Sequence, residues 1–218
     1  PDAGNTTQYP LVFLESHNYS GPTFNITVDD CSVYTVADAS VSWSTTDKTD
    51  WDTKSCDGIR AYGNNITLRR NHFKNVDFGI TVSGSYALVY GNTVENFAGD
   101  GMRGLGNDLF FEYNLVKNLY KVNENHSDGF QSWVVDGEAP PQRVVLRGNK
   151  IINYTDPNQP FRAPLQGIGC FDGPYIDWIV ENNVIITDHY HGISLYGARN
   201  SRIVNNTVID LNDVIPGP

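Results

Sequence analysis

In the stretch Asn-Glu-Asn-His-Ser-Asp-Gly-Phe-Gln-Ser-Trp (123–133), an imidazole and a carboxylate stand two residues apart, His126 and Asp128. A carboxylate beside an imidazole orients the ring and fixes its proton on one nitrogen, leaving the other free as a base. Arg103 follows Asp100 by three residues. A guanidinium grips a carboxylate through two parallel N–H bonds. A base and such a fork suit removal of a weakly acidic proton beside a carboxylate, because the fork holds the charge that builds. His126 is the leading base, with Lys121, His191 and Tyr196 as further candidates. Arg103 is the leading neutraliser, with Arg60 as a second. Asp128 orients His126 or, together with Asp100, binds an ion such as Ca²⁺. Arg60, Gln131, Trp133, His191 and Tyr196 combine polar groups with flat rings. Sugars, with apolar C–H faces and hydroxyl edges, match that combination.

What must position these residues is a repeat. Six segments begin with one variable residue, then Gly, then an apolar residue: DGIRAYG (57–63), FGITVSG (78–84), DGMRGLG (100–106), DGFQSWV (128–134), QGIGCFD (166–172) and HGISLYG (191–197). The glycines are spaced by 21, 22, 28, 38 and 25 residues. Inside each unit an Asn recurs, at 71, 92, 114, 149, 183 and 206. Four residues later come Asn75, Asn96, Asn118 and Asn153, then Thr187 and Asp210. Three short strands in about 22 residues, each alternating with period two, describe a coil; a propeller blade needs about 40.

Composition agrees. Of 218 residues, 20 are Gly and 23 Asn, and only 18% are charged. Residues that favour helices are scarce. The net charge of −10 argues against nucleic acid as a partner. The sequence has no run of 18 apolar residues, so no membrane-inserting helix is expected. Nor does it open with a charged-then-apolar leader. Cys31 and Cys56 lie 25 residues apart, close to the repeat period. They read either as stacked and disulfide-bonded or as buried small hydrophobes.

These two phased columns resemble the right-handed parallel β-helix family, strongly over 57–213. The resemblance implies an all-β, single-stranded right-handed parallel β-helix with asparagine ladders and extended loops. Residues 57–218 then form the regular coils. Residues 1–56 form N-terminal coils in looser register, with strands at 11–16, 23–28 and 32–36 and a polar loop at 42–55. Asn at a corner bonds to the coils before and after it and tolerates left-handed backbone. Gly at the other corner is expected to serve the same backbone need. Open ends call for cover by flanking domains or by a homotrimer. Members of this family act on polysaccharides as lyases, epimerases or tailspikes, commonly using Lys or His with Arg, sometimes with Ca²⁺. The expected place is extracellular, secreted or on a virion. No cofactor is required.

Counting each unit from its Gly, +1 and +3 point inward and +2 and +4 outward. The outward columns carry Arg60, Arg103 and Gln131 beside Tyr62, Trp133, Phe171 and Tyr196. The longest insertions, at 119–128, 134–142 and 154–165, would wall a groove around units three to five. The expected activity is degradation or modification of a uronic-acid polysaccharide by C5 proton abstraction. Alternatives are a glycoside hydrolase or tailspike-type depolymerase using paired carboxylates, with Asp100 and Asp128 about 5 Å apart on stacked coils, and a binding or structural module without chemistry.

Overall fold

The computed structural model describes residues 9–35 and 47–211. There the chain winds through seven coils, a leading coil and the six units, each contributing to three sheet faces. The first face stacks Val12–Leu14, Ile59–Tyr62, the opening halves of Ile80–Tyr90 and Met102–Glu112, Asp128–Gln131, Gln166–Cys170 and Ile193–Leu195. The second stacks Phe24–Asp29, Asn64–Arg69, the closing halves of those two long strands, Val145–Arg147, Ile179–Glu181 and Arg202–Val204. The third runs from Ser32–Tyr34 through His72–Val76, Thr93–Phe97, Leu115–Leu119, Lys150–Ile152 and Val184–Thr187 to Thr207–Asp210. Strands of successive coils pair in parallel, and the inward +1 column stays in register: Ile59, Ile80, Met102, Phe130, Ile168, Ile193. The expected solenoid is therefore present.

The phase is also as read. The +1 side chains from Ile59 to Ile168 are buried, as are Ala61, Val82 and Cys170 at +3. They meet Leu68, Val89, Phe111 and Leu146 from the second face and Phe73, Val94, Val116 and Ile151 from the third. Each such side chain contributes about 1.5–3 kcal/mol by leaving water. Two +2 positions depart from the outward rule, for Thr81 and Gly169 are buried.

Corner chemistry divides differently from expectation. The first Asn column is a hydrogen-bond ladder. The side-chain N–H of Asn71, Asn92, Asn114, Asn149 and Asn183 each donates to Oδ1 of the Asn one coil on, at 2.9–3.0 Å. Each also donates to a backbone carbonyl of the coil before. The left-handed residue at this corner is the preceding one: Arg70, Gly91, Tyr113, Gly148, Asn182 or Asn205. Only in the second column do the asparagines take that conformation themselves, at Asn75, Asn96 and Asn118.

Nor do the column glycines serve positive φ. A β-carbon on Gly79 would lie 2.3 Å from the Gly101 carbonyl and 2.6 Å from Val94, and one on Gly101 2.4 Å from Val116. These glycines exist because two faces close there over an inward side chain. Cys31 holds the ladder position of the leading coil, its N–H donating to Asn71 Oδ1, whereas Cys56 lies in the turn into the first face. The two cysteines are thus at different corners and free, and Cys31 is exposed rather than buried.

The stretch expected to be a polar loop contains a helix, Lys48–Lys54, capped by Asp47, whose side chain accepts from the Asp50 N–H. Trp51 is the reason it folds. Its ring is wholly buried and stacks on Tyr120, with centroids 5.1 Å apart, within a small second core that includes Ala98 and Val122. Asn123 donates to Asp52 at 2.7 Å. The helix therefore clamps the insertion that carries Lys121, Asn125 and His126.

Candidate functional site

Four of the six corner residues reach forward to the outward +2 side chain of their own coil. Asp57 accepts from Arg60 Nε at 2.5 Å, Asp100 from Arg103 Nε at 2.6 Å, and Asp128 from Gln131 at 3.1 Å. His191 Nδ1 lies 2.8 Å from Ser194 Oγ. Strand geometry causes this, since the two positions bracket one inward residue on the same face.

Around units two to five these latches connect. Asp100 Oδ2 holds Arg103, and its Oδ1 accepts the backbone N–H of Asp128 at 2.9 Å. Asp128 Oδ2 in turn lies 3.2 Å from His126 Nδ1. The Arg103 guanidinium carbon stands 3.6 Å from the Phe78 ring centroid and 5.6 Å from that of Trp133. Such cation–π contacts hold the plane of the fork. The fork opens into a cleft of about 320 Å³ together with His126, Gln131 and Trp133. Asn125 and Asp172 complete its rim.

Residues 16–155, well over half of the sequence, match the family described as right handed beta helix region. The chain belongs to the right-handed β-helix family. No curated protein and no solved structure matches it. In this β-helix, then, the cleft lies on the first face; of the three long insertions only 119–128 lines it, through Asn125 and His126, while 134–142 lines the neighbouring cleft beyond Trp133.

The right-handed β-helix brings Asp100, Arg103, His126, Asp128, Gln131 and Trp133 together. Lys121 lines a neighbouring cleft of about 240 Å³ with Glu124, Gln166 and His189, and Asn125 and His126 divide it from the first. Arg60 is apart, two coils back with Thr81 between, and bound to Asp57. His191 and Tyr196 belong to an aromatic patch with Phe171, His189 and Tyr190 on the last two coils. Of the two carboxylates expected to share an ion, Asp100 pairs with Arg103, and Asp128 Oδ2 faces Gln131 and His126. Among the described residues no three His, Cys, Asp or Glu side chains gather to hold a metal.

Sequence reasoning missed Phe78, Asn125, Asp172 and His189. Phe78 was visible as the ring that interrupts the Asp column between Asp57 and Asp100. Asp172 replaces the second glycine that Gly63, Gly84 and Gly106 supply in earlier units. Asn125 and His189 gave no signal beyond their neighbours.

Burial governs the electrostatics. It raises the Asp57 and Asp100 carboxyls above the usual range despite their arginines. Burial, then the nearby Asp100, push Asp128 up to about 9. Asp128 Oδ1 has no partner, and it occupies the space a side chain at Gly169 would need, 1.8 Å from the β-carbon position. A protonated carboxyl suits that dry place.

Asp77, unused by the cleft, is pushed up to about 7 by burial and then by Asp57. Unfolded, it would titrate near 4. Below that pH both states hold the proton. Between about 4 and 7 only the folded state does, so stability falls as pH rises. Asp77→Asn is expected to be stabilising at pH 8, by up to about 4 kcal/mol, and nearly neutral at pH 4. Urea unfolding at both pH values checks this, and a pH-independent difference would refute it.

Proposed function

We propose that this β-helix protein binds an extracellular polysaccharide containing uronic acid and acts on it by proton abstraction at C5. The observation that carries the reading is the Arg103 fork, pinned by Asp100 and held between Phe78 and Trp133, opening on the cleft that His126 enters. The uronate carboxylate would lie on the fork, which takes up charge as the C5 proton leaves. His126 Nε2 takes that proton. In the lyase case the electron pair forms the C4–C5 double bond, and the bond to the oxygen at C4 breaks. Lys121, across His126, would return a proton to the departing oxygen. Gln131 and Trp133 contact the sugar.

Hydrolysis by Asp100 and Asp128 is disfavoured. Both are almost wholly buried, and Asp100 spends one oxygen on Arg103 and the other on a backbone N–H.

The pair Asp128–His126 also sets a pH dependence. With Asp128 protonated, its proton lies on the contact to Nδ1, and a neutral imidazole then carries its hydrogen on Nε2, where it cannot act as a base. With Asp128 ionised, Nδ1–H donates to it and Nε2 is free. Activity is therefore expected to rise toward a limb near pH 9, about tenfold per unit below it. The test is a panel of polysaccharides followed at 235 nm for unsaturated uronate and by reducing ends. A rise in both, lost about 100-fold or more in His126→Ala, supports the reading. Reducing ends alone would indicate hydrolysis, and neither signal, with no exchange of the C5 hydrogen in heavy water, would leave binding alone.

A further inference from the structure

Among the described residues, two clefts adjoin the central one, sharing Trp133 on one side and Asn125 and His126 on the other, and their charges differ. The central one holds Arg103, faced by the exposed carboxylate of Asp172. Beyond Trp133, which it shares with the centre, lies a cleft of about 240 Å³ at the corner to the second face. Ser83, Ser85 and Asn107 contribute to its lining and Glu138 stands exposed over it; among the described residues no Lys, Arg or His lines it. On the other side of His126, Lys121 stands beside the exposed carboxylate of Glu124.

We infer that the substrate is a heteropolysaccharide in which the uronate on Arg103 is followed, past Trp133, by an uncharged sugar; this rests on the reading of Arg103 as the uronate site. In a homopolyuronate every sugar carries a carboxylate. The one beyond Trp133 would meet Glu138 with no cation to offset it, and the one beyond His126 would share Lys121 with Glu124. An uncharged sugar instead meets the hydroxyl and amide groups of Ser83, Ser85 and Asn107 and the Trp133 ring, which is what its own hydroxyls and C–H face require. Net charge acts in the same direction. A chain of −10 repels a polyanion at long range, and repels one of half the charge density less.

The experiment is affinity electrophoresis of the whole protein through gels containing hyaluronan or chondroitin, which alternate uronate with an amino sugar, or polygalacturonate or alginate, which are uronate throughout. Retardation by the alternating polymers is expected to be about fivefold stronger or more. Glu138→Lys should narrow the ratio by about three- to fivefold. Equal or stronger retardation by the homopolymers overturns the inference, as does a ratio unmoved by Glu138→Lys. The variant Arg103→Ala/Asp100→Asn separates the two levels. If it keeps wild-type retardation, the uronate site itself is wrong. If it loses retardation while the wild type does not discriminate, only the alternating-polymer inference fails. No retardation of the wild type by any of these polymers overturns both.

Discussion

Arg103→Ala is expected to destabilise the protein by about 3–5 kcal/mol and to abolish action on uronates. Two costs fall on one residue. Asp100 is wholly buried, and without the guanidinium its carboxylate has lost its counter-charge, the costly way to break a buried pair. Asp100 also anchors the backbone of Asp128, so the His126 and Gln131 contacts depend on it. Adding Asp100→Asn should return most of the stability, because an amide oxygen still accepts the Asp128 N–H and no charge is left unpaired. It should return none of the activity, because nothing holds the substrate carboxylate. Denaturant midpoints and the 235 nm assay on the two variants decide it. Recovery of activity in the double variant would show that Arg103 is structural only.

The ladder supplies the second large effect. Asn114 donates to Val89 O and to Asn149 Oδ1, and its own Oδ1 accepts two N–H groups of Asn92. Asn114→Ala leaves the Val89 carbonyl and the Asn92 backbone N–H buried and unpaired. At about 1–3 kcal/mol for each orphaned group, the loss should reach about 3–5 kcal/mol. Asn206, on the last coil, is only partly buried, so Asn206→Ala should cost about 1 kcal/mol. Urea midpoints compare the two, and equal losses would mean that the ladder is not what the interior asparagines supply.

The fold was legible because its signal is periodic. An Asn that must meet another Asn one coil on cannot drift in sequence without breaking five bonds, so the column survives every insertion. The glycines were legible for the same reason, although the cause lay in Val94 and Val116 pressing on the corner rather than in φ. The site was only partly legible. Arg103, Gln131 and Trp133 could be collected because the repeat phase fixes which way they point, and His126 because it stands two residues before Asp128. Phe78 is the one apolar residue in a corner column that otherwise reads Asp57, Asp100, Asp128, Gln166 and His191, and its sequence neighbours give it no role. Trp51 gave no signal as a clamp, since its partner Tyr120 lies in an insertion and no period links the two. Arg60 was overestimated because one column was read as one site, when Asp57 and Asp100 each keep their own arginine.

Each coil touches chiefly the coil before it and the coil after it, with strand pairing that never skips a unit. Unfolding in such a stack proceeds from its ends, as a zipper opens, and an interior coil is released only after its outer neighbours. The cleft is assembled from units two to five, with the leading coil and unit one outside it on one side and unit six on the other. The coils that carry the cleft are thus paired on both sides, and the geometry between Arg103 and His126 is held from both directions.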